Sequence, residues 1–154
     1  MKLREAGFSD FEPIRYIVEK TIKSIYPDYY PKGAVDFFLE YHCDESIKKA
    51  LKEETVLLLE AGGNYVGTGS IRGNRVQRFF VLPEFQGRGY GTVIMNEIEK
   101  RIFFNHDEII LESSLPAYEF YLKRGYISFD FQKIKTSCGH MLCYHMMKKI
   151  KEGK

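Results

Sequence analysis

Three sets of residues in this chain have types and spacings that could do chemistry. The first is Gln86-Gly87-Arg88-Gly89-Tyr90-Gly91, which follows a β-branched and aromatic run from Arg75 to Leu82 and precedes a helical stripe at Met95, Ile98 and Ile102. A strand thus feeds a glycine-rich turn that opens a helix. Glycines permit positive φ and close backbone approach, so successive amide N–H groups can converge on an anion at the positive end of a helix. That geometry suits a phosphate. A nucleoside-triphosphate loop would need Lys and then Ser or Thr after its last glycine, which Tyr90, Gly91 and Thr92 do not supply. A dinucleotide fingerprint needs G-x-G-x-x-G, whereas Gly87, Gly89 and Gly91 are spaced G-x-G-x-G and the preceding strands read as hairpin-connected. Taken alone, the loop also admits a glycine-rich helix start that binds nothing.

The second set is Cys138-x-His140-x-x-Cys143-x-His145, two thiols and two imidazoles at short spacing. Gly139 argues for a hairpin turn there, with Cys143 and His145 on one strand face and Cys138 and His140 at its mouth. The spacing matches no standard zinc finger, so no metal is expected. With Cys43 the cysteines number three, an odd count that makes no secreted disulfide framework. Reduced thiols in the cytoplasm are the simpler reading, and no motif presents any of them as a nucleophile. The third set is scattered: His42 and Glu112 as conceivable proton acceptors, and Arg78, which alternates with Phe80 and Leu82 along one strand face. Lone ionisable groups are more often structural or superficial. Arg78 can be read as a surface ion-pair member or as a group reaching a pocket that favours a carboxylate.

The elements that must hold these residues follow from periodicity. Ile14, Ile17, Val18, Thr21, Ile22 and Ile25 mark one face of a helix whose first turn Asp10 is placed to cap. The Pro27 to Pro31 stretch breaks it, and two shorter helical pieces follow, Val35 to Tyr41 and Asp44 to Leu51. Thr55 to Glu60 and Tyr65 to Ile71 read as a hairpin around Gly62-Gly63-Asn64, with Arg75 to Leu82 as a further antiparallel strand. After the glycine loop and its helix come a buried strand at Glu108 to Glu112, a short helix from Ala117 to Lys123, and a terminal hairpin of Tyr126 to Phe131 with Met141 to Met147. A short strand opens the chain, and the charged Lys148 to Lys154 end is expected to fray. The order predicts a mixed α/β fold over residues 1–154 as a single domain.

Composition agrees with a packed core: 44% of the 154 residues are hydrophobic and 15% aromatic, away from the signature of disorder. Basic and acidic residues nearly balance at 23 and 21, which gives no basic stripe for a nucleic acid. No window approaches the roughly 20 apolar residues of a membrane span, and Met1 to Ala6 contains no apolar signal core.

At the glycine loop the sequence resembles the GNAT superfamily of N-acyltransferases, whose defining loop is Gln/Arg-x-x-Gly-x-Gly/Ala. Gln86, Gly89 and Gly91 match it, preceded by Val81-x-Pro83-Glu84. Downstream, Ala117-Tyr118-Glu119-Phe120-Tyr121-Leu122-Lys123-Arg124-Gly125-Tyr126 is similar to the family's Ala-x-x-x-Tyr-x-x-x-Gly-Phe/Tyr segment. The resemblance implies a mostly antiparallel sheet, flanked by helices and splayed between the strands ending near Leu82 and Glu112. It implies acetyl-CoA as co-substrate, its pantetheine arm along the main chain of Phe80, Val81 and Leu82, and its pyrophosphate in the amides of Gln86, Gly87, Arg88, Gly89, Tyr90, Gly91 and Thr92. Ser114 stands where relatives often carry a cofactor-contacting Asn. Tyr121 matches the general acid, although by itself it is one of eleven tyrosines with a core role open to it. Many relatives carry a carboxylate on the strand before the loop; Arg75-Val76-Gln77-Arg78-Phe79-Phe80 has none, and the base stays unassigned. The acceptor implied is a primary amine of a small molecule or peptide, shaped by the Tyr26 to Cys43 and Phe129 to Tyr144 stretches. A homodimer is compatible with the family. The rival reading is a non-catalytic acyl-CoA-binding regulatory module on the same fold.

Overall fold

Val56, Leu57, Leu58 and Leu59 are all buried, so the strand they form must be covered on both faces. A computed structural model describes residues 1–153 and shows how this is met. Seven strands form one sheet: β1 Lys2–Glu5, β2 Thr55–Ala61, β3 Asn64–Arg72, β4 Arg75–Val81, β5 Glu108–Ser113, β6 Ile127–Lys135 and β7 Met141–Ile150. Their order is β1-β2-β3-β4-β5-β7-β6, and every neighbouring pair is antiparallel except β4 with β5. Val56, Leu58, Phe80 and Leu82 face helices α1 Phe11–Ile25, α2 Lys32–Tyr41 and α3 Asp44–Glu53. Leu57, Leu59, Val66 and Val76 face the other way, onto α4 Tyr90–Asn105 and the short α5 Tyr118–Lys123.

The α1 stripe predicted from the sequence is the buried one, with Ile14, Ile17, Val18, Thr21 and Ile22 all inside. Two glycines set how closely α4 lies on the sheet. A Cβ at Gly67 would meet Ile94 Cδ1 at 2.7 Å, and one at Gly69 would meet Ile98 Cδ1 at 2.8 Å. Backbone and isoleucine tips are therefore in direct contact across β3.

Two local expectations are corrected. Asp10 occupies the position before α1, but its carboxylate does not cap that helix. It accepts from the Gly7 amide at 2.9 Å and from both Nη atoms of Arg4 at 2.9 Å, tying β1 to the turn ahead of α1. A bidentate guanidinium is a stronger partner than a first-turn amide. The chain end does not fray at Lys148: Lys148, Lys149 and Ile150 pair with Ile110, Ile109 and Glu108 of β5. Lys151 continues the attachment, its amide donating to the Asp107 carbonyl at 2.8 Å. Lys154 lies outside the described residues. Among the described residues no helix is long and apolar enough to cross a membrane.

Glu99 is a charged residue in the α4 core face, only 8% exposed. Its carboxylate accepts from Arg124 Nε at 3.1 Å, Tyr126 Oη at 3.0 Å and Lys149 Nζ at 3.0 Å. One side chain thus joins α4, the turn after α5 and β7. Burial alone would raise its pKa, but the hydrogen bonds from Arg124 and Lys149 outweigh that and hold it below the usual carboxylate range. A depressed carboxylate stabilises the fold above its unfolded pKa of about 4.3, and that contribution is lost as pH falls through the folded value. Glu99→Gln is expected to cost about 2 kcal/mol at pH 7, because it leaves two half-buried cations without their counter-charge. Urea unfolding at pH 7 and at pH 3 checks this: the gap between wild type and variant should close at the lower pH, and a gap equal at both would contradict the assignment.

Candidate functional site

Strands β4 and β5 share a ladder for only two residue pairs, Arg75 with Ile110 and Val76 with Leu111. Beyond them the strands part. On its other side β4 stays paired to β3 through Phe80 with Thr68 and Val81 with Gly67, and the Leu82 amide donates to the Val66 carbonyl at 2.9 Å. Main-chain groups alternate sides along an antiparallel strand, so Leu82 and Phe80 turn theirs toward β3 and Phe79 and Val81 turn theirs toward the gap. The Val81 carbonyl is already taken by Gln86 Nε2 at 2.8 Å. The Phe79 carbonyl and the Val81 N–H remain on the open edge.

The groove that results is lined by Phe79, Phe80 and Val81 on one bank and by Ser114 and Ala117 on the other, and it runs into the glycine loop. Gly87 and Gly89 are left-handed, with φ of +77° and +85°, and Gly89 is the residue ahead of α4. The first main-chain bond of this helix start is Val93 N–H to the Gly89 carbonyl at 3.2 Å. The amides of residues 87–92 have no main-chain acceptor among the described residues. They stand together with the positive end of a helix dipole behind them. Gly91 is held tight instead: a Cβ there would meet Phe79 Cζ at 3.2 Å and Phe120 Cε2 at 3.3 Å. Arg88 is exposed, its guanidinium over the Phe85 ring at 5.4 Å, and Leu82 is turned into the core at 4% exposure.

A second cavity, of about 280 Å³, opens between α2, the far end of β4 and β7. It meets the groove at Tyr26, Phe79, Phe80, Ser114 and Ala117, which line both. Tyr121 lines this cavity, with its ring against Phe79, Phe120 and Tyr126 and only 4% of its surface exposed. Its hydroxyl has no hydrogen-bond partner among the described residues, and burial pushes the phenol well above its ordinary pKa, so it stays protonated. Tyr26, at the junction, is pushed up to about 12 by burial, partly offset by the Ser114 hydroxyl.

Tyr30, which no sequence pattern singled out, fixes the geometry of this junction. Its hydroxyl donates to the Cys143 carbonyl at 2.7 Å and accepts from the Leu115 amide at 2.8 Å. It thereby fastens the segment after β5, including Ser114, to β7. The partners lie 113 and 85 residues away in sequence, out of reach of any local signal.

Arg78 departs from the expected alternation. The β3–β4 register shifts between Thr68 and Ser70, so Arg78 and Phe79 together oppose Gly69, as in a β-bulge. Val76, Phe79 and Val81 face one core cluster and Phe80 and Leu82 the other, leaving Arg78 as the inserted residue. Its φ of +49° is the one left-handed value of a non-glycine among the described residues. The side chain is not a surface ion-pair member. Its Nε donates to His42 Nδ1 at 3.1 Å, and its Nη1 is buried without a partner. His42, T-shaped against Phe80 at 5.3 Å, is held neutral, its pKa lowered to about 3 by burial and by the Arg78 charge. With Nδ1 accepting, Nε2 carries the proton, so the ring has no free basic nitrogen. Glu112 is exposed and is the one carboxylate lining the cavity among the described residues.

The Cys and His constellation does not converge. His140 Nδ1 accepts from the Gly33 amide at 2.7 Å and lies 3.6 Å from Cys138 Sγ, whereas His145 stacks on Tyr118 at 4.1 Å and pairs with Ser128. The Cys143 main chain serves Tyr30, and Cys43 stands ahead of α3.

Residues 25–150 match the family described as acetyltransferase (GNAT) domain. Among solved structures, the chain is similar to a GCN5-related N-acetyltransferase from Rhodopseudomonas palustris, with TM-score 0.87 and 22% identity over 97% of this chain and 94% of that one. It is also similar to the PaiA N-acetyltransferase from Thermoplasma acidophilum in complex with coenzyme A, with TM-score 0.71 and 18% identity over 97% and 98%. A ribosomal-protein-alanine N-acetyltransferase from Brucella melitensis gives TM-score 0.70 and 15% identity over 97% and 99%. At these identities the likeness is one of fold. No curated protein sequence matches the chain.

The buried His42 carries a pH signature. In the unfolded chain an imidazole protonates near 6.5, roughly its ordinary value. The folded chain resists protonation down to about 3. The unfolded state therefore binds the extra proton between those values, and stability falls as pH falls through that window. His42→Gln, whose amide oxygen can still accept from Arg78, is expected to flatten the decline of unfolding free energy between pH 6.5 and 4. An unchanged slope in urea titrations would contradict the buried neutral imidazole.

Proposed function

The chain belongs to the GNAT acetyltransferase family, and from that premise we propose that it transfers an acetyl group from acetyl-CoA to a primary amine of a small molecule or peptide, by direct attack in a ternary complex. The observation that carries this reading is the meeting of two spaces at one point. A groove suited to an amide-bearing, phosphate-ended chain and an aromatic cavity suited to a second substrate share Tyr26, Phe79, Phe80, Ser114 and Ala117.

In this reading the pyrophosphate sits against the amides of residues 87–92, where left-handed Gly87 and Gly89 turn the backbone toward it. The pantetheine amides complete the ladder that β4 lost, using the Phe79 carbonyl and the Val81 N–H. Gln86 acts from behind through its side chain, holding the Val81 carbonyl and with it the loop. Ser114 contributes one hydroxyl at the junction. The thioester then lies where groove and cavity join, and the amine approaches from the cavity in its neutral form.

The carbon–nitrogen bond forms as the amine attacks the thioester carbonyl, and the carbon–sulfur bond breaks with the electron pair leaving on sulfur. Tyr121 is the group we assign to protonate that thiolate. Burial keeps the phenol protonated before the reaction but also makes it a weaker acid, so transfer relies on the thiolate charge developing beside it. His42 is not the base, because its one lone-pair nitrogen is engaged by Arg78. Glu112 is the carboxylate available to take the amine proton, directly or through water. The three free thiols support a reducing, cytoplasmic setting.

Calorimetric titration with acetyl-CoA is expected to show binding that Gly89→Glu abolishes, since a carboxylate at a left-handed loop position repels and blocks the phosphates. Tyr121→Phe is expected to keep that binding and lower kcat about 100-fold in a thiol-release assay with an amine panel. Binding without turnover of any amine would favour the regulatory module, and absence of binding by the folded wild type would sink the transferase reading.

A further inference from the structure

Arg78 holds a cation where a sheet residue ordinarily would not. The bulge that inserts it breaks the β3–β4 register, its backbone adopts a left-handed φ of +49°, and its Nη1 is buried with no hydrogen-bond partner. Left-handed backbone costs an L residue roughly 1–2 kcal/mol, and an unsatisfied buried donor costs about as much again. Strain and a missing partner at one residue mark a site whose partner arrives from elsewhere.

The surroundings define that partner. Arg78 lines the acceptor cavity together with Tyr26, Phe38, Tyr41, His42 and Tyr144. Four of these five are aromatic, and the fifth is a neutral imidazole committed to Arg78 Nε. Glu112 also lines the cavity but forms no ion pair with Arg78. Glu54, the acid whose charge is felt most at Arg78, lines a different cavity and forms no ion pair with it among the described residues, and its Oε1 is itself buried and unpartnered. Burial disfavours the charged guanidinium, and the Glu54 charge offsets that only in part. Arg75 also lines the cavity, but Arg78 is the arginine with a buried, unpartnered nitrogen, and a planar cation among aromatic walls matches a planar anion on an apolar body.

Resting on the acetyltransferase reading, we infer that the acceptor is an amine bearing a carboxylate and an apolar or aromatic body, with Arg78 as the residue that selects the carboxylate. Free amino acids with such side chains belong to this class, as do related amino carboxylic acids. The amine then projects toward Phe79 and Phe80, where the two spaces join, with Tyr121 lining the cavity beside them.

The test separates recognition from turnover. The probe is 3-phenylpropanoate, which has the aromatic body and the carboxylate but no amine, set against 3-phenylpropanamide. Calorimetry is run on the wild type with coenzyme A present and again without it, so that a failed cofactor site does not prevent the measurement. The variants are Arg78→Asn, because asparagine tolerates the left-handed backbone, and Arg78→Lys, which restores the charge without the fork. We expect the carboxylate to bind the wild type about 10- to 100-fold more tightly than the amide, Asn to erase the difference, and Lys to restore part of it. In the thiol-release assay, Asn should raise KM for L-phenylalanine by a similar factor and leave KM for L-phenylalaninamide unchanged. Equal binding of acid and amide by the wild type, no binding of either, or equal loss of both on removing the charge would each overturn the inference. Coenzyme A binding with no carboxylate preference would overturn it while leaving the transferase reading standing.

Discussion

Strands β4 and β5 hold each other through two residue pairs and then let go, and the rest of the molecule is arranged around that parting. A sheet interrupted in its middle exposes main-chain donors and acceptors at a depth where they need partners. The fold answers on one bank by pairing β4 to β3 as far as Leu82 and by turning Gln86 back onto the Val81 carbonyl. On the other bank, Tyr30 pins the segment after β5 to β7 with one hydroxyl that both donates and accepts. The edge left over is narrow, and the positive end of α4 closes it at one end.

Holding a sheet apart requires strong attachments away from the gap. Ile94 and Ile98 press directly on glycines 67 and 69 of β3, so α4 is seated on the unbroken half. Glu99, next to Ile98 in the same helix, reaches across to Arg124 and Lys149 and so couples α4 to the half beyond the gap. The buried carboxylate therefore does a mechanical task that apolar packing alone would not direct. It fixes α4 relative to the turn that follows Tyr121, and through it the distance between loop and phenol.

Much of this was legible in the sequence because local rules carried it. The glycine loop, the α1 stripe and the hairpin around Gly62-Gly63-Asn64 follow from residue type and period, the Ala117 to Tyr126 segment from its resemblance, and the family resembled is the one the chain belongs to. What was not legible came from interactions distant in sequence. Lys148 and Lys149 look like a solvated tail, yet they continue β7 as an inner strand because antiparallel β5 offers them ladder partners as far as Glu108. Arg78 lies in a run that alternates well on paper, and nothing in a single arginine announces a bulge or a left-handed backbone. Asp10 has the type and place of a helix cap, and only the nearness of Arg4 across the fold diverts it. His42 was open as a base until its ring nitrogen was seen to be committed.

The central claim is that the parted strand edge and the loop amides together form one binding surface for acetyl-CoA. Hydrogen–deuterium exchange with and without coenzyme A reads this amide by amide. The account predicts that coenzyme A slows exchange at Val81 and at residues 87–92 and leaves β1, β2 and the β6–β7 hairpin unchanged. Protection confined to other segments, or none at saturating coenzyme A, would contradict it.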